Sequence, residues 1–195
     1  MASATRRPLV YGVRVISGRV KDSGQQRIRS GLREIIERLQ PEVRFTVQQN
    51  VLLAGIAEQR GEVDRLLHAH GIISAADLPP VLRLSTACRT LPSCGQAVTE
   101  SERVWPQVAG RIQQAWDAAG LQSEPLCVRM TGCPNGCARP YTAEIGIAGQ
   151  SIELYSLYLG GSPLSPPCSA DPSTFPDSWP WLFRSDSPRA FPGSP

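Results

Sequence analysis

Thr131-Gly132-Cys133-Pro134-Asn135-Gly136-Cys137-Ala138-Arg139-Pro140-Tyr141-Thr142-Ala143-Glu144-Ile145-Gly146-Ile147 is the stretch from which the rest of this chain is read. Two cysteines four positions apart stand in a turn of Gly, Pro and Asn, so both sulfurs can converge from a backbone bent too tightly for a regular helix. The flanks, Val128 to Thr131 and Ala143 to Ala148, are apolar enough to be short buried strands that anchor the turn at both ends. The stretch therefore describes a metal-gripping loop held on a scaffold.

A second cysteine pair lies upstream, in Cys88-Arg89-Thr90-Leu91-Pro92-Ser93-Cys94, so the full constellation is C-x5-C, a connection of 38 residues, and then C-x3-C. Four thiolates close a structural zinc site or hold an iron–sulfur cluster. Zinc knuckles usually place about two to four residues between their cysteines, so the first pair is wide for zinc. A cubane presents its irons at separate corners and accepts unequal spacings. The spacing leans to a cluster and leaves zinc, or unliganded thiols, open. Cys127, inside an expected strand, and Cys168, in an irregular tail, are read as non-ligands.

At 195 residues and 41% hydrophobic content, the chain is long enough for one core or for two small lobes. Leu9 to Ile16 reads as a strand closed by Ser17-Gly18. From Gln25 to Leu39 the residues Ile28, Leu32, Ile35, Ile36 and Leu39 recur at helical spacing, with Asp22 or Ser23 as cap and Pro41 just beyond. Strands over Glu42–Thr46 and Asn50–Ile56 and a helix over Val63–His70, ended by Gly71, complete a βαββα order. That order predicts an α+β lobe with helices on one face of a small antiparallel sheet. His68 and His70 near a helix C-terminus suit the dipole and are read as structural.

Leu78 to Leu82, with Pro79-Pro80, reads as the link to a second lobe. There a strand over Val81–Thr86 leads into the first cysteine pair. A helix from Ser101 to Gly120 follows, burying Val104, Val108, Ile112, Ala115, Trp116 and Ala119. The expected organisation is a disordered N-terminus over 1–8, a half-domain over 9–77, a cysteine-bearing α/β lobe over 78–162 and a disordered Pro/Ser-rich tail over 163–195. The tail holds nine of the eighteen prolines and aromatics without periodicity.

The net charge of +3 is unevenly spread: eight Arg and Lys stand against Asp22 alone in the first 33 residues. This suits a solvated basic face or an anionic protein partner; nothing points to nucleic acid. No stretch approaches the roughly 20 apolar residues of a membrane helix, and residues 1–8 lack the apolar run of a secretory signal. A cytoplasmic protein is expected, with six cysteines as thiols or metal ligands rather than disulfides.

With these residues in view, 131–147 resembles the signature of the siroheme-containing nitrite and sulfite reductases: Thr131, Gly132, Cys133, Cys137, Glu144, Ile145, Gly146 and Ile147 all fit. The upstream C-x5-C arrives at the family's expected distance. Its wording, Thr90 to Cys94 followed by Glu100-Ser101-Glu102-Arg103, is more similar to the assimilatory sulfite reductases than to the nitrite enzymes. Gly18 to Asp22 and Phe45 to Gly55 resemble the second ferredoxin-like half-repeat, so the likeness covers about 150 residues.

The resemblance implies that Cys88, Cys94, Cys133 and Cys137 ligate a [4Fe-4S] cluster, that Cys137 also bridges to the siroheme iron as its axial ligand, and that Asn135 touches the macrocycle. It implies a fragment of a sulfite reductase, reducing sulfite to sulfide with electrons from ferredoxin or another donor, with a nitrite reductase fragment as the alternative. A non-enzymatic iron–sulfur or zinc module is the third reading. The family's first half-repeat, which supplies most of the basic residues clamping siroheme and substrate, has no counterpart here. No catalytic residue is therefore assigned and the isolated chain is expected to be inactive; Arg19, Arg89 and Arg139 remain as candidates for siroheme carboxylates.

Overall fold

The computed structural model describes residues 10–152 and 154–162 and the backbone of Cys168–Ser169. The expected disordered ends, 1–8 and 163–195, fall outside the described residues apart from that pair. The chain divides into two compact units, one up to Pro79 and one from Pro80 onward.

In the first unit, β1 (Val10–Val13), β4 (Glu42–Phe45) and β5 (Val51–Ala54) form an antiparallel sheet in the order β1-β5-β4. Val13 pairs with Val51 and Phe45 pairs with Val51 from the other side, so β5 is the central strand and the most buried. Helices α1 (Ile28–Leu39) and α2 (Arg60–Ala69) supply the other layer. Leu32, Ile35, Val63, Leu66 and Leu67 meet Val13, Val51 and Leu53 in one core. Each such side chain removed from water contributes about 1.5–3 kcal/mol. The α+β half-domain with helices against a small antiparallel sheet is thus the observed fold.

Two local details differ from expectation. Helix α1 begins at Ile28, not Gln25, because Asp22–Ser23 (β2) and Gln26–Arg27 (β3) pair as a tight hairpin before it. Asp22 still serves the helix start, from eight residues away: its carboxylate accepts the Ser30 N–H at 3.0 Å and the Ser30 hydroxyl at 2.6 Å. Those bonds hold the Asp22 carboxyl below the usual carboxylate range. The helix closes on Gln40 in the left-handed region (φ 47°), just before Pro41. His70 is 7% exposed and its Nε2 lies 2.6 Å from the Glu34 carboxylate, a structural tie between the two helices.

In the second unit, α3 (Pro80–Leu84) replaces most of the strand expected over Val81–Thr86. Pro80 is preset for a first helical position, and the Val81 N–H is taken by Gln113 Oε1 at 3.0 Å. Only Thr86–Ala87 (β6) is strand. It joins β7 (Val128–Thr131), β8 (Ile145–Ser151), β9 (Leu154–Leu159) and β10 (Cys168–Ser169) in the order β10-β9-β8-β7-β6. β6, β7 and β8 run parallel, and β8-β9-β10 antiparallel. Cys168 is therefore paired with Leu159 rather than lying in irregular chain, and Cys127 stands one residue ahead of its strand.

Helix α4 spans Trp105–Ala118, four residues shorter at its start than expected because Pro106 opens it. Its buried residues are Trp105, Ala109 and Ile112; Val104, Val108, Ala115 and Trp116 are only half-buried and Ala119 is exposed. The apolar stripe is rotated from the one read in the sequence. Among the described residues no helix is long and apolar enough to cross a membrane.

Candidate metal centre

The two cysteine loops leave neighbouring parallel strands. Cys88 follows β6 and Cys133 follows β7, so the sheet sets both pairs at its strand ends. The Cys88 N–H donates to the Met130 carbonyl at 3.0 Å, continuing the β6–β7 ladder one step into the site.

Gly132 is the junction. Its N–H points at Cys88 Sγ, 3.4 Å away, and its carbonyl accepts the N–H groups of Val98 and Thr99 at 2.9 and 3.1 Å. A Cβ at Gly132 would lie 2.3 Å from the Thr90 methyl and 2.4 Å from the Thr99 carbonyl oxygen, and one at Gly149 would lie 2.7 Å from the Gly132 carbonyl carbon. The loop over 88–101, the start of the 132–137 turn and β8 therefore touch backbone to backbone. Only glycine permits that approach.

Each loop is also braced from within. Thr90, 1% exposed, hydrogen-bonds the Glu100 carboxylate and accepts the Ser101 N–H at 3.0 Å, while Glu100 pairs with Arg103. The Cys94 N–H donates to the Thr90 carbonyl at 2.9 Å. In the second loop, Tyr141 OH donates to the Pro134 carbonyl at 2.9 Å and its ring packs against Gly136, which adopts φ +67°. Tyr158 meets that ring edge-on, centroids 4.9 Å apart.

Cys88 and Cys133 are buried, Cys94 is half-buried and Cys137 is exposed, with exposed Asn135 on the same turn. Burial pushes the Cys88 thiol up, hydrogen bonds from Gly132 N–H and the Ser101 hydroxyl pull it down, and Cys137 and Cys133 stand close enough to push it up again. Cys88 and Cys133 thus stand beyond neighbouring strand ends, with Cys94 on the loop of Cys88 and Cys137 on the turn of Cys133. Among the described residues no three His, Cys, Asp or Glu side chains close on one metal ion. The donor set is four free thiols with a backbone N–H already aimed at one sulfur, which fits the ligand chemistry of an iron–sulfur group.

Cys127 lies apart from this set: its N–H donates to the Glu144 carboxylate at 3.0 Å, and burial raises its thiol, with Arg129 opposing. Arg89 is exposed beside Cys88, and Arg139 adopts a left-handed conformation (φ 58°) after Cys137. The sequence places Gly132 in the signature and Thr90 and Ser101 beside the first cysteine pair, but gives none of them, nor Tyr141, a part in bracing the loops. Only Gly132, as the small residue before a cysteine, carries a signal legible without the fold.

Residues 6–70 match the family described as "Nitrite/Sulfite reductase ferredoxin-like half domain". The chain is 44% identical over 153 residues to the sulfite reductase (ferredoxin) of Synechococcus elongatus, covering 78% of this chain and 24% of that protein. It is 46% identical over 148 residues to the sulfite reductase (NADPH) hemoprotein beta-component of Methylobacterium nodulans, covering 75% and 24%. The fold is similar to the structure of the Mycobacterium tuberculosis NirA protein, with a TM-score of 0.68 and 24% identity over 84% of this chain and 31% of that one. The chain spans about a quarter of the length of the curated relatives it matches. Residues 6–70 are thus a nitrite/sulfite reductase ferredoxin-like half domain, and over about 150 residues the chain is similar to one segment of the sulfite reductases.

Proposed function

We propose that the chain is the cluster-bearing part of a sulfite reductase. On this reading Cys88, Cys94, Cys133 and Cys137 would hold a [4Fe-4S] cluster, and Cys137 would also be a ligand toward siroheme. The observation that supports it is the junction at Gly132, where the two cysteine loops touch backbone to backbone and the Gly132 N–H addresses Cys88 Sγ at 3.4 Å. Sulfite reductase names on relatives at 44–46% identity support sulfite over nitrite.

When bound, the coupled pair supplies one-electron storage next to a metal that accepts sulfite for six-electron reduction to sulfide. The chain's own contribution is positional. Buried Cys88 and Cys133 anchor from inside the lobe, Cys137 presents its sulfur at the rim, and Tyr141 holds the turn that aims it. Asn135, exposed on that turn, would contact the macrocycle. Electrons come from ferredoxin or another donor, and sulfite turnover requires the remaining part of a reductase.

Anaerobic reconstitution followed by visible and EPR spectra tests this. A cluster signal coupled to siroheme supports it, a cluster alone favours an electron carrier, and colourless zinc protein rejects it. Cys137→Ser should lose both cluster and axial ligation, whereas Cys127→Ser should keep its iron; equal iron loss in both would overturn the ligand assignment. With reduced methyl viologen and the complementary reductase polypeptide added, ammonium from nitrite without sulfide from sulfite would move the assignment to the nitrite enzymes. Neither product would remove the reductase reading.

A further inference from the structure

The loop that carries Cys133 and Cys137 is fastened at both ends to one strand. At its start, Thr131 Oγ1 donates to the Cys133 carbonyl at 3.1 Å. At its exit, Arg129 Nη1 donates to the Arg139 carbonyl at 3.4 Å and to the Thr142 hydroxyl. Arg129 and Thr131 stand two apart on β7, so both side chains leave the same face of the sheet. Opposite Arg129 on β8 is Gly146, where a Cβ would lie 2.2 Å from the Pro140 carbonyl oxygen. The missing side chain lets Pro140–Thr142, a single tight helical turn, lie against the strands within reach of the Arg129 guanidinium.

What Arg129 holds is the residue that closes the bend around Cys137. The Arg139 N–H donates to the Gly136 carbonyl at 2.7 Å, so residues 136–139 form a turn with Cys137 inside it. Arg139 is left-handed (φ 58°), a state that a residue with a side chain keeps only where its surroundings fix it. Its carbonyl accepts the Thr142 N–H at 3.2 Å and the Thr142 hydroxyl at 3.1 Å, both from within the loop, and Arg129, which ties the loop to the sheet. Cys137 is exposed, so the direction of its sulfur is set by the backbone of that turn more than by packing around the side chain.

We propose that Arg129 is a positioning residue: its guanidinium pins Arg139 and Thr142 to β7 and thereby fixes the turn that presents the Cys137 sulfur to the iron–sulfur group. The role of that sulfur rests on the proposed ligation by Cys88, Cys94, Cys133 and Cys137; the fixing of the turn does not. Groups that orient a metal ligand without touching the metal commonly change its hold by about 10–100-fold. Both bonds leave a single nitrogen of Arg129, so the two-pronged grip that lysine cannot imitate is not used, and Arg129→Lys keeps a charged donor for the same acceptors.

The first measurement is amide hydrogen exchange, read by mass spectrometry on the iron-free full chain, for wild type, Arg129→Met and Arg129→Lys. Arg129→Met is expected to speed exchange over 136–143 about tenfold and to leave 88–101 and α1 unchanged, with Arg129→Lys nearer wild type. Unchanged exchange over 136–143 overturns the proposal, as does equal acceleration over 88–101, since Arg129 would then serve the fold at large. If circular dichroism shows Arg129→Met unfolded, Thr142→Val, which removes the hydroxyl between Arg129 and Arg139, is judged by the same criteria. The second measurement is iron release to a chelator after anaerobic reconstitution with iron and sulfide. Arg129→Met is expected to lose iron about tenfold faster than wild type, with Arg129→Lys again nearer wild type. Wild-type release from a loosened turn overturns the proposal. A wild-type chain that takes up no iron overturns the ligation by the four cysteines and with it the role given to the sulfur, a result distinct from a loaded chain whose iron release ignores residue 129.

Discussion

Tyr11 shows how one side chain writes a pH dependence into the first unit. Burial is the main reason its phenol is pushed up to about 12, and its hydrogen bond to the Asp64 carboxylate adds to the shift. The folded state favours the protonated phenol, so the stabilisation is complete below the ordinary value near 10 and disappears as pH rises through about 12. Thermal melts of wild type and Tyr11→Phe should therefore differ at pH 9 and draw together as pH rises from 10 toward about 12, whereas a gap that does not change with pH would contradict the assignment. At Gly132 the constraint is steric instead. Gly132→Ala forces a methyl into the Thr90 side chain and the Thr99 carbonyl, neither of which has room to give. It should destabilise the second unit by about 1–3 kcal/mol in denaturant unfolding, and iron uptake should fall with it.

At the scale of elements, α1 separates its apolar residues by burial. Ile35 has no solvent exposure and sits in the core, while Ile36 is 37% exposed. Ile35→Ala should cost about 2–5 kcal/mol and Ile36→Ala less than about 1 kcal/mol, measured by equilibrium unfolding. Period alone marked both as core, because it locates a face but not its edges. The same limit explains α4, where Trp105, Ala109 and Ile112 form as regular a stripe as the one read around Val108 and Trp116. The α1 and β5 assignments survived because long periodic or β-branched runs bound by Pro and Gly leave little choice. The β2–β3 hairpin was illegible because its four paired residues are all exposed and polar, so no alternation announces it. The strand expected over Val81–Thr86 gives way to α3 because three apolar residues after a proline, Val81, Leu82 and Leu84, suit a strand or a helix turn equally, and Gln113, from a distant helix, decides between them. The cysteines were legible through spacing, whereas the Ser101 hydroxyl bonds the Met130 carbonyl from twenty-nine residues away with no pattern linking the two.

At the scale of the whole molecule, nineteen arginines, one lysine and a net charge of +3 give the chain its basic character. Not all of that is surface: Arg14 is 5% exposed and bonds the Gln48 carbonyl and Asn50 side chain at 3.1 and 2.8 Å. If the remaining basic residues meet an acidic ferredoxin, binding should weaken markedly as salt is raised and the Debye length falls from about 30 Å at 0.01 M to about 8 Å at 0.15 M. Isothermal titration calorimetry across that range would show it; a salt-independent affinity would exclude a mainly electrostatic contact. The backbone contacts at Gly132 have a consequence for supply as well. In a small peptide folded by its metal, the ion must itself overcome the entropy of drawing distant ligands together. Here the polypeptide closes that separation of 38 residues through its own packing. If the four thiols hold the proposed cluster, iron scarcity would leave a folded chain waiting to be filled rather than an unfolded one awaiting degradation, and its abundance in the cell would be uncoupled from the iron it can obtain.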